Sequence, residues 1–511
     1  MIEVQGWPED PQWVQQASTA VRTALPALES LIGLPVPGSG TVAIREVTEA
    51  DLGGDYAGSY DADTDVAWVS EDLDETTVAH ELSHVWFNSR LFSDRWLTEG
   101  YASYAEKTAA ANDYQACKRP EVYTGSGQPP ALNTWKVLGP RATADDRDAV
   151  SYQYAASCWI VTAVADAIGD ARFTQVLQAA SRHEIAYAGA GAPETVGSGA
   201  VDWRTWLDLV DERGMVAAGR TDLDYVQRLL ADFGVPRSSS ELDARSSARA
   251  QYHALAAQAG DWALPYAVRG PMAAWQFTQA TSAMEAATPI LDLRARLVAL
   301  APDAASVTTL QTKFESAQDA SELRAAVDYA QDRLAAATTV TAAVSRARAT
   351  HGAVETVGLL GTDLRAMTAD AETSLAKDQV ERAVAVSAEI DQAVNGASAT
   401  GQLRLGLGLG AGLLCLLGGV LVIRRRGGLR LRPAPAAEPT PVSLEMGTTD
   451  GPVTPGVDAA DPLALPVPPP QAPVLPDRPA VRADELAMEG AEQPGPGPVD
   501  MSPGEAERRA E

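Results

Sequence analysis

The chain has 511 residues, 40 Lys plus Arg against 68 Asp plus Glu, and a formal net charge of −28. That length exceeds one ordinary domain, and the acidity excludes an extended face for nucleic acid. The three cysteines, Cys117, Cys158 and Cys415, form no C-x-x-C pair, which excludes a cysteine-rich zinc site.

All eleven Trp lie before residue 276, whereas 18 of the 33 Pro and no aromatic residue fall within 427–511. The front of the chain is therefore globular and the end is expected to be disordered. Residues 1–235 read as one α+β domain, a small sheet followed mainly by helices. Apolar Val14, Ala17, Val21, Leu25, Leu28 and Leu31 give residues 11–34 a helical period, with Pro26 as a candidate kink. Residues 41–47 alternate as a strand, and 55–60 with 66–70 read as a hairpin around the polar turn DADTD. The acidic stretch 71–75 suits a helix start, and that helix is expected to run to about Arg90. Another helix begins near Thr98, residues 113–146 read as loop, and helices follow at about 148–168, 171–182, 203–212 and 223–233.

Residues 236–402 read as an α-helical stalk or bundle, with no Gly between Pro271 and His351 and with Asn395, Gly396 and Ser398 loosening the chain at its end. Residues 403–424 contain 19 uncharged residues, Leu405 to Ile423, followed by Arg424, Arg425 and Arg426. This is the length of a membrane-spanning helix, and the flanking charge places residues 1–403 outside and the tail 425–511 in the cytoplasm. A leader preceding Met1 is then expected. The outside setting makes Cys117 and Cys158 a candidate disulfide, with two reduced cysteines as the alternative. The acidic, Pro-rich tail is expected to be flexible, and PPP at 468–470 offers a site for a proline-reading partner.

The chemistry concentrates at TTVAHELSHVW, residues 76–86. His80 and His84 stand one helical turn apart on one face, so both imidazoles reach one ion, and Glu81 points at water beside it. A catalytic zinc site requires a third protein ligand. Glu99, in RWLTEGYASYAE, lies on the next helix and is the leading candidate, with Asp94 and Glu106 as rivals. His183, His253 and His351 have no partner pattern and read as structural or surface residues.

HELSHVWF followed by WLTEGYASYAE resembles the gluzincin metallopeptidases, especially the aminopeptidase N family, over about 55–235. The resemblance implies a zincin-like fold, zinc held by His80, His84 and Glu99, and Glu81 as general base. It also implies a tyrosine that stabilises the oxyanion. Matched on SYQYAA, that residue is Tyr152, with Tyr154 still open. The His-to-Glu spacing is shorter than in those relatives, and their amine-binding G-x-M-E-N segment is absent. Ser103 is a candidate outer-sphere partner. The expected function is a membrane-anchored, extracytoplasmic zinc metallopeptidase. Its peptide or protein substrate is expected to lie along Val66–Val69 as an extra strand, with Trp68 and Tyr60 shaping pockets. The alternatives are an inactive zincin scaffold that binds partners, and a mechanical or sensory surface protein.

Overall fold

A short parallel pairing starts the chain. Strand β1, Ile2–Gln5, lies beside β2, Val42–Val47, with Val4 opposite Ile44. Parallel neighbours need a crossover, and helix α1, Pro11–Ile32, supplies it. Its buried stripe of Trp13, Ala17, Val21, Leu28 and Ile32 fits the expected period. Pro26 sits inside this helix without splitting it, and the helix stops at Gly33, which is left-handed at φ 67°. Strands β3, Gly58–Asp61, and β4, Val66–Ser70, form the expected hairpin, with Ser59 opposite Trp68. The sheet order is β1-β2-β4-β3. Strand β4 is therefore paired on both sides, and Val66–Val69 has no free edge for a substrate. The free edge of the hairpin is β3.

The computed structural model describes residues 1–426 except 38–39, 54, 110–116, 121, 140, 190–193, 196–198, 237 and 302–303. The expected disordered tail and its PPP motif lie outside the described residues. After the sheet come α2, Glu75–Ser83, and α3, Arg95–Ala109, then a 3-10 turn at Leu132–Thr134. Next are α4, Ala144–Ile168, α5, Asp170–Ser181, and α6, Trp203–Leu209, which runs on as a π-helix over Val210–Val216. They are followed by α7, Tyr225–Asp232, α8, Ser239–Ala259, α9, Tyr266–Ala273, and α10, Phe277–Leu300. The last five are α11, Ala305–Glu315, α12, Ala320–Arg348, α13, Ala353–Gly358, α14, Leu364–Ala376, and α15, Val380–Arg426.

One buried core extends from Trp13 on α1 to Leu334 on α12. The division expected at 235 is thus a change of element type and not a gap in packing. Arg245, fully buried on α8, joins Asp208 at 2.5 Å and Asp211 at 2.8 Å. Arg249 adds Glu212 at 2.8 Å, and Arg269 on α9 reaches back to Glu194 at 2.6 Å. These charges are buried only because they are paired across the division. A second core, including Leu297, Val340, Leu375 and Ile390, joins α10, α12, α14 and α15.

Helix α15 does not loosen at Asn395–Ser398 as expected but continues without a break, because α13 packs along it there. A Cβ on Gly358 would overlap the Ala397 carbonyl, and one on Gly401 would overlap that of Val354. From Leu403 to Val422 its apolar side chains are exposed, and the helix is long and apolar enough to cross a membrane.

Candidate metal centre

Helix α2 carries the histidines. Asp74 caps it by accepting from the Thr76 amide at 3.0 Å, and Glu75 adds negative charge to its first turn. The helix ends at Ser83 with His84 as its cap, earlier than the expected Arg90. Asn88 explains this, because its side-chain amide donates to the carbonyls of His84 at 2.8 Å and Val85 at 3.2 Å and turns the chain. Phe87 and Phe92 then stack on Tyr101 of α3, at ring distances of 5.0 and 5.2 Å, and this reversal returns α3 to the histidines. Gly100 lets α3 approach α4, since a Cβ there would meet the Ser157 carbonyl oxygen at 2.9 Å. Cys117 and Cys158 form a disulfide that closes a 41-residue separation onto α4.

The result is a converging set. Glu99 Oε2 lies 3.4 Å from His80 Nε2 and 3.5 Å from His84 Nε2. One ligand atom from each of the three residues lies within 4.8 Å of the others. Each imidazole is held from behind. His80 Nδ1 is 3.1 Å from Glu106 Oε2, and His84 Nδ1 is 2.7 Å from the Phe87 carbonyl. Donation from Nδ1 leaves the Nε2 lone pair for a metal. Glu106 is thus the orienting partner of His80 and not a rival ligand. Asp94 is directed elsewhere, accepting from the Trp203 amide at 2.8 Å.

Electrostatics favour a cation in this space. Burial opposes a charged His80, yet its bonds to Glu106 and Glu99 and the charge of Glu81 push its pKa up to about 10. Burial also opposes a charged Glu99, but the two imidazoles hold its carboxyl well below the usual range. Glu81 is the reverse case: burial pushes its carboxyl up despite both imidazoles. Its Oε2 is buried with no hydrogen-bond partner among the described residues. A set of two nitrogens and one carboxylate oxygen, with carboxylates crowded behind it, fits a divalent ion such as zinc.

The two candidate tyrosines lie differently. Tyr152 is turned away from the histidines and packs on Tyr123 and Phe233, at ring distances of 5.5 and 6.4 Å. Tyr154 faces the site instead, 6.3 Å from the His80 ring and edge-on to Trp135 at 4.7 Å. Two residues along a helix turn by about 200°, so one step of register decides which tyrosine faces the metal ligands. Burial pushes the Tyr154 phenol well up, so it remains protonated and able to donate.

Arg95 is a residue that the sequence reading missed. Its Nη2 lies 3.1 Å from Glu99 Oε1, which leaves Oε2 for the histidines. Its guanidinium also stands 5.6 Å from the centre of the Trp135 ring. Helical spacing signals both partners: Arg95, which was overlooked, and Glu106, which was named as a rival ligand, lie one and two turns from Glu99 on its own face.

Two adjoining cavities, of about 450 and 880 Å³, meet at Tyr56, Gly58, His80, Glu81, Leu138 and Tyr154. Ser103 lines the smaller one beside Glu106, while Trp68 and Tyr60 line the larger. Tyr60 also stacks over His84 at 6.2 Å. The outlying histidines stay apart from the site: His253 pairs with Glu212 at 3.3 Å and His351 with Glu355 at 3.9 Å. No protein-family model matches the chain, nor does any curated protein or solved structure.

Proposed function

We propose that the chain is a zinc-dependent metallopeptidase of gluzincin type, anchored by α15 with its catalytic body outside the membrane and its tail in the cytoplasm. One observation carries this reading. His80 Nε2, His84 Nε2 and Glu99 Oε2 converge, beside a buried Glu81 oxygen that has no partner among the described residues. Zinc held by those three residues would supply Lewis acidity, polarising a carbonyl and making water a nucleophile near neutral pH. Glu81 takes the proton of the attacking water and passes it to the departing amine. The raised affinity that burial gives its carboxyl for a proton suits that exchange. Tyr154, with its proton retained, donates to the oxyanion. Arg95 and Glu106 hold Glu99 and His80 in register. A peptide or protein substrate pairs along β3, whose outer edge is free in the sheet.

The test measures zinc by mass spectrometry and cleavage of a peptide library on the same purified full-length samples. One zinc per chain is expected, lost in Glu99→Ala. Glu81→Gln is expected to keep zinc and lose cleavage. Absence of zinc, or zinc without cleavage of any library member, would overturn this reading in favour of a binding scaffold.

A further inference from the structure

The base of the helical region carries a feature that a simple spanning helix does not need. Helix α15 buries Ala383, Ile390 and Ala397 in the body, then exposes Leu403, Leu407 and Leu409 at 64%, 66% and 76%. The uncharged stretch 405–423, at ~1.5 Å per residue, spans roughly 28 Å, close to the thickness of a bilayer's hydrocarbon core. The lipid boundary on the body's side therefore falls at Arg404.

Arg404 is not free to extend into solvent. Its Nη1 donates to the carbonyls of Val357 at 3.0 Å, Gly358 at 3.0 Å and Leu360 at 2.7 Å. These are the last carbonyls of α13 and its following turn, and among them Val357 also accepts from the Leu360 amide at 3.4 Å. The glycine contacts between α13 and α15 hold the two backbones together immediately above. The turn after α13 is thus fixed at the depth of Arg404. Gly361, at φ +86°, closes that turn, and Leu360 at its tip is 62% exposed.

We infer that the turn Leu359–Thr362 is a second membrane contact, in which Leu360 enters the outer leaflet beside α15. The occupant of this surface is lipid, because the turn is continuous with the lipid-facing part of α15 and tied to it by Arg404. Insertion is shallow, about 5–10 Å, at the boundary of headgroups and acyl chains. Two contacts limit the tilt of the body relative to the membrane plane, which a lone spanning helix leaves free. The inference rests on α15 spanning the membrane and is independent of the peptidase chemistry.

The experiment uses the full chain with Cys415→Ser and the Cys117–Cys158 disulfide left intact. Single cysteines replace Leu360, Leu413 or Glu389, carry an environment-sensitive fluorophore, and are reconstituted in phosphatidylcholine nanodiscs. Leu413 reports the span, and Glu389, exposed on α15 within the body, reports solvent. The expected result for Leu360 is blue-shifted emission, quenching by lipids spin-labelled near the headgroup, and loss of quenching by aqueous iodide. If the Leu360 label behaves like that at Glu389 while Leu413 is lipid-protected, the second contact is refuted and the span stands. If Leu413 also behaves like Glu389, the span fails and the contact with it.

Discussion

Gly58 opens β3 directly over Glu81, and its replacement by alanine tests whether Glu81, the proposed general base, must stay where it is. A Cβ at residue 58 would lie 2.7 Å from both Cγ and Oε1 of Glu81 and 2.9 Å from Cδ. Carbon atoms settle at ~3.5–4.0 Å, so the carboxylate must give way by roughly 1 Å. Glu81 lies where the two cavities meet, so it gives way by swinging into that space and out of its reacting position. A misplacement of about 1 Å costs on the order of 100-fold in rate. That is ~2.7 kcal/mol of transition-state stabilisation. None of the three atoms nearest the added Cβ belongs to His80, His84 or Glu99, so zinc binding is expected to persist. The assay compares kcat/KM on a cleaved peptide, zinc per chain and thermal unfolding for parent and Gly58→Ala. A variant that cleaves at the parent's rate would refute the placement of Glu81. A variant that loses its zinc would refute the claim that residue 58 acts on the base alone.

Three further outcomes follow from the same geometry. Tyr154→Phe should lower kcat by about 10- to 100-fold with zinc retained, while Tyr152→Phe should leave it unchanged; steady-state kinetics on the pair decides which tyrosine serves the oxyanion. Arg245→Ala leaves buried Asp208 with only the Trp275 indole and Asp211 with only Arg249, both acids already pushed towards neutrality by burial, and should cost ~3–5 kcal/mol, whereas Arg348→Ala, removing an exposed pair with Glu372, should cost under ~1 kcal/mol. Denaturant unfolding followed by circular dichroism would separate them, and equal costs would refute the buried network. Loss of the disulfide in Cys158→Ser opens a closed loop of about 41 residues and should cost about 4 kcal/mol, which calorimetry of the parent with and without reductant would check.

The clustering of His80, His84 and Glu99 was legible in the sequence because these residues are close along the chain. His80 lies on α2 and His84 caps it one turn later, and Glu99 sits on the next helix, so their spacing marks them as candidates that the reversal at Asn88 then brings together. The helix end was not legible, since HVWFNSRLF continues an apolar pattern and only the Asn88 bonds to His84 and Val85 reveal the turn. Tyr152 against Tyr154 was a question of helical phase, which the approach of α4 to Gly100 decides. Strand β1 escaped notice because four residues are too few to show a period, and its partner β2 lies beyond the whole of α1. The same non-local pairing hid which strand of the hairpin is the edge: β2 takes the free side of β4, and no feature of residues 66–70 announces it.

Helix α12 has a consequence for how such a chain can be assembled from parts. Its first half, Leu323 to Leu334, belongs to the core that surrounds the metal ligands, and its second half, Ala336 to Val344, to the core that holds the base of α15. One uninterrupted rod is shared by both, so no cut between the His80–His84–Glu99 cluster and α15 leaves two self-sufficient modules. A graft of the front residues onto another anchor would inherit unpaired acids at 208, 211 and 212. The anchor, detached, would lose half of the helix it leans on. The candidate site and α15 are therefore exchanged together or not at all, and a pull on α15 is felt within the fold that carries His80, His84 and Glu99.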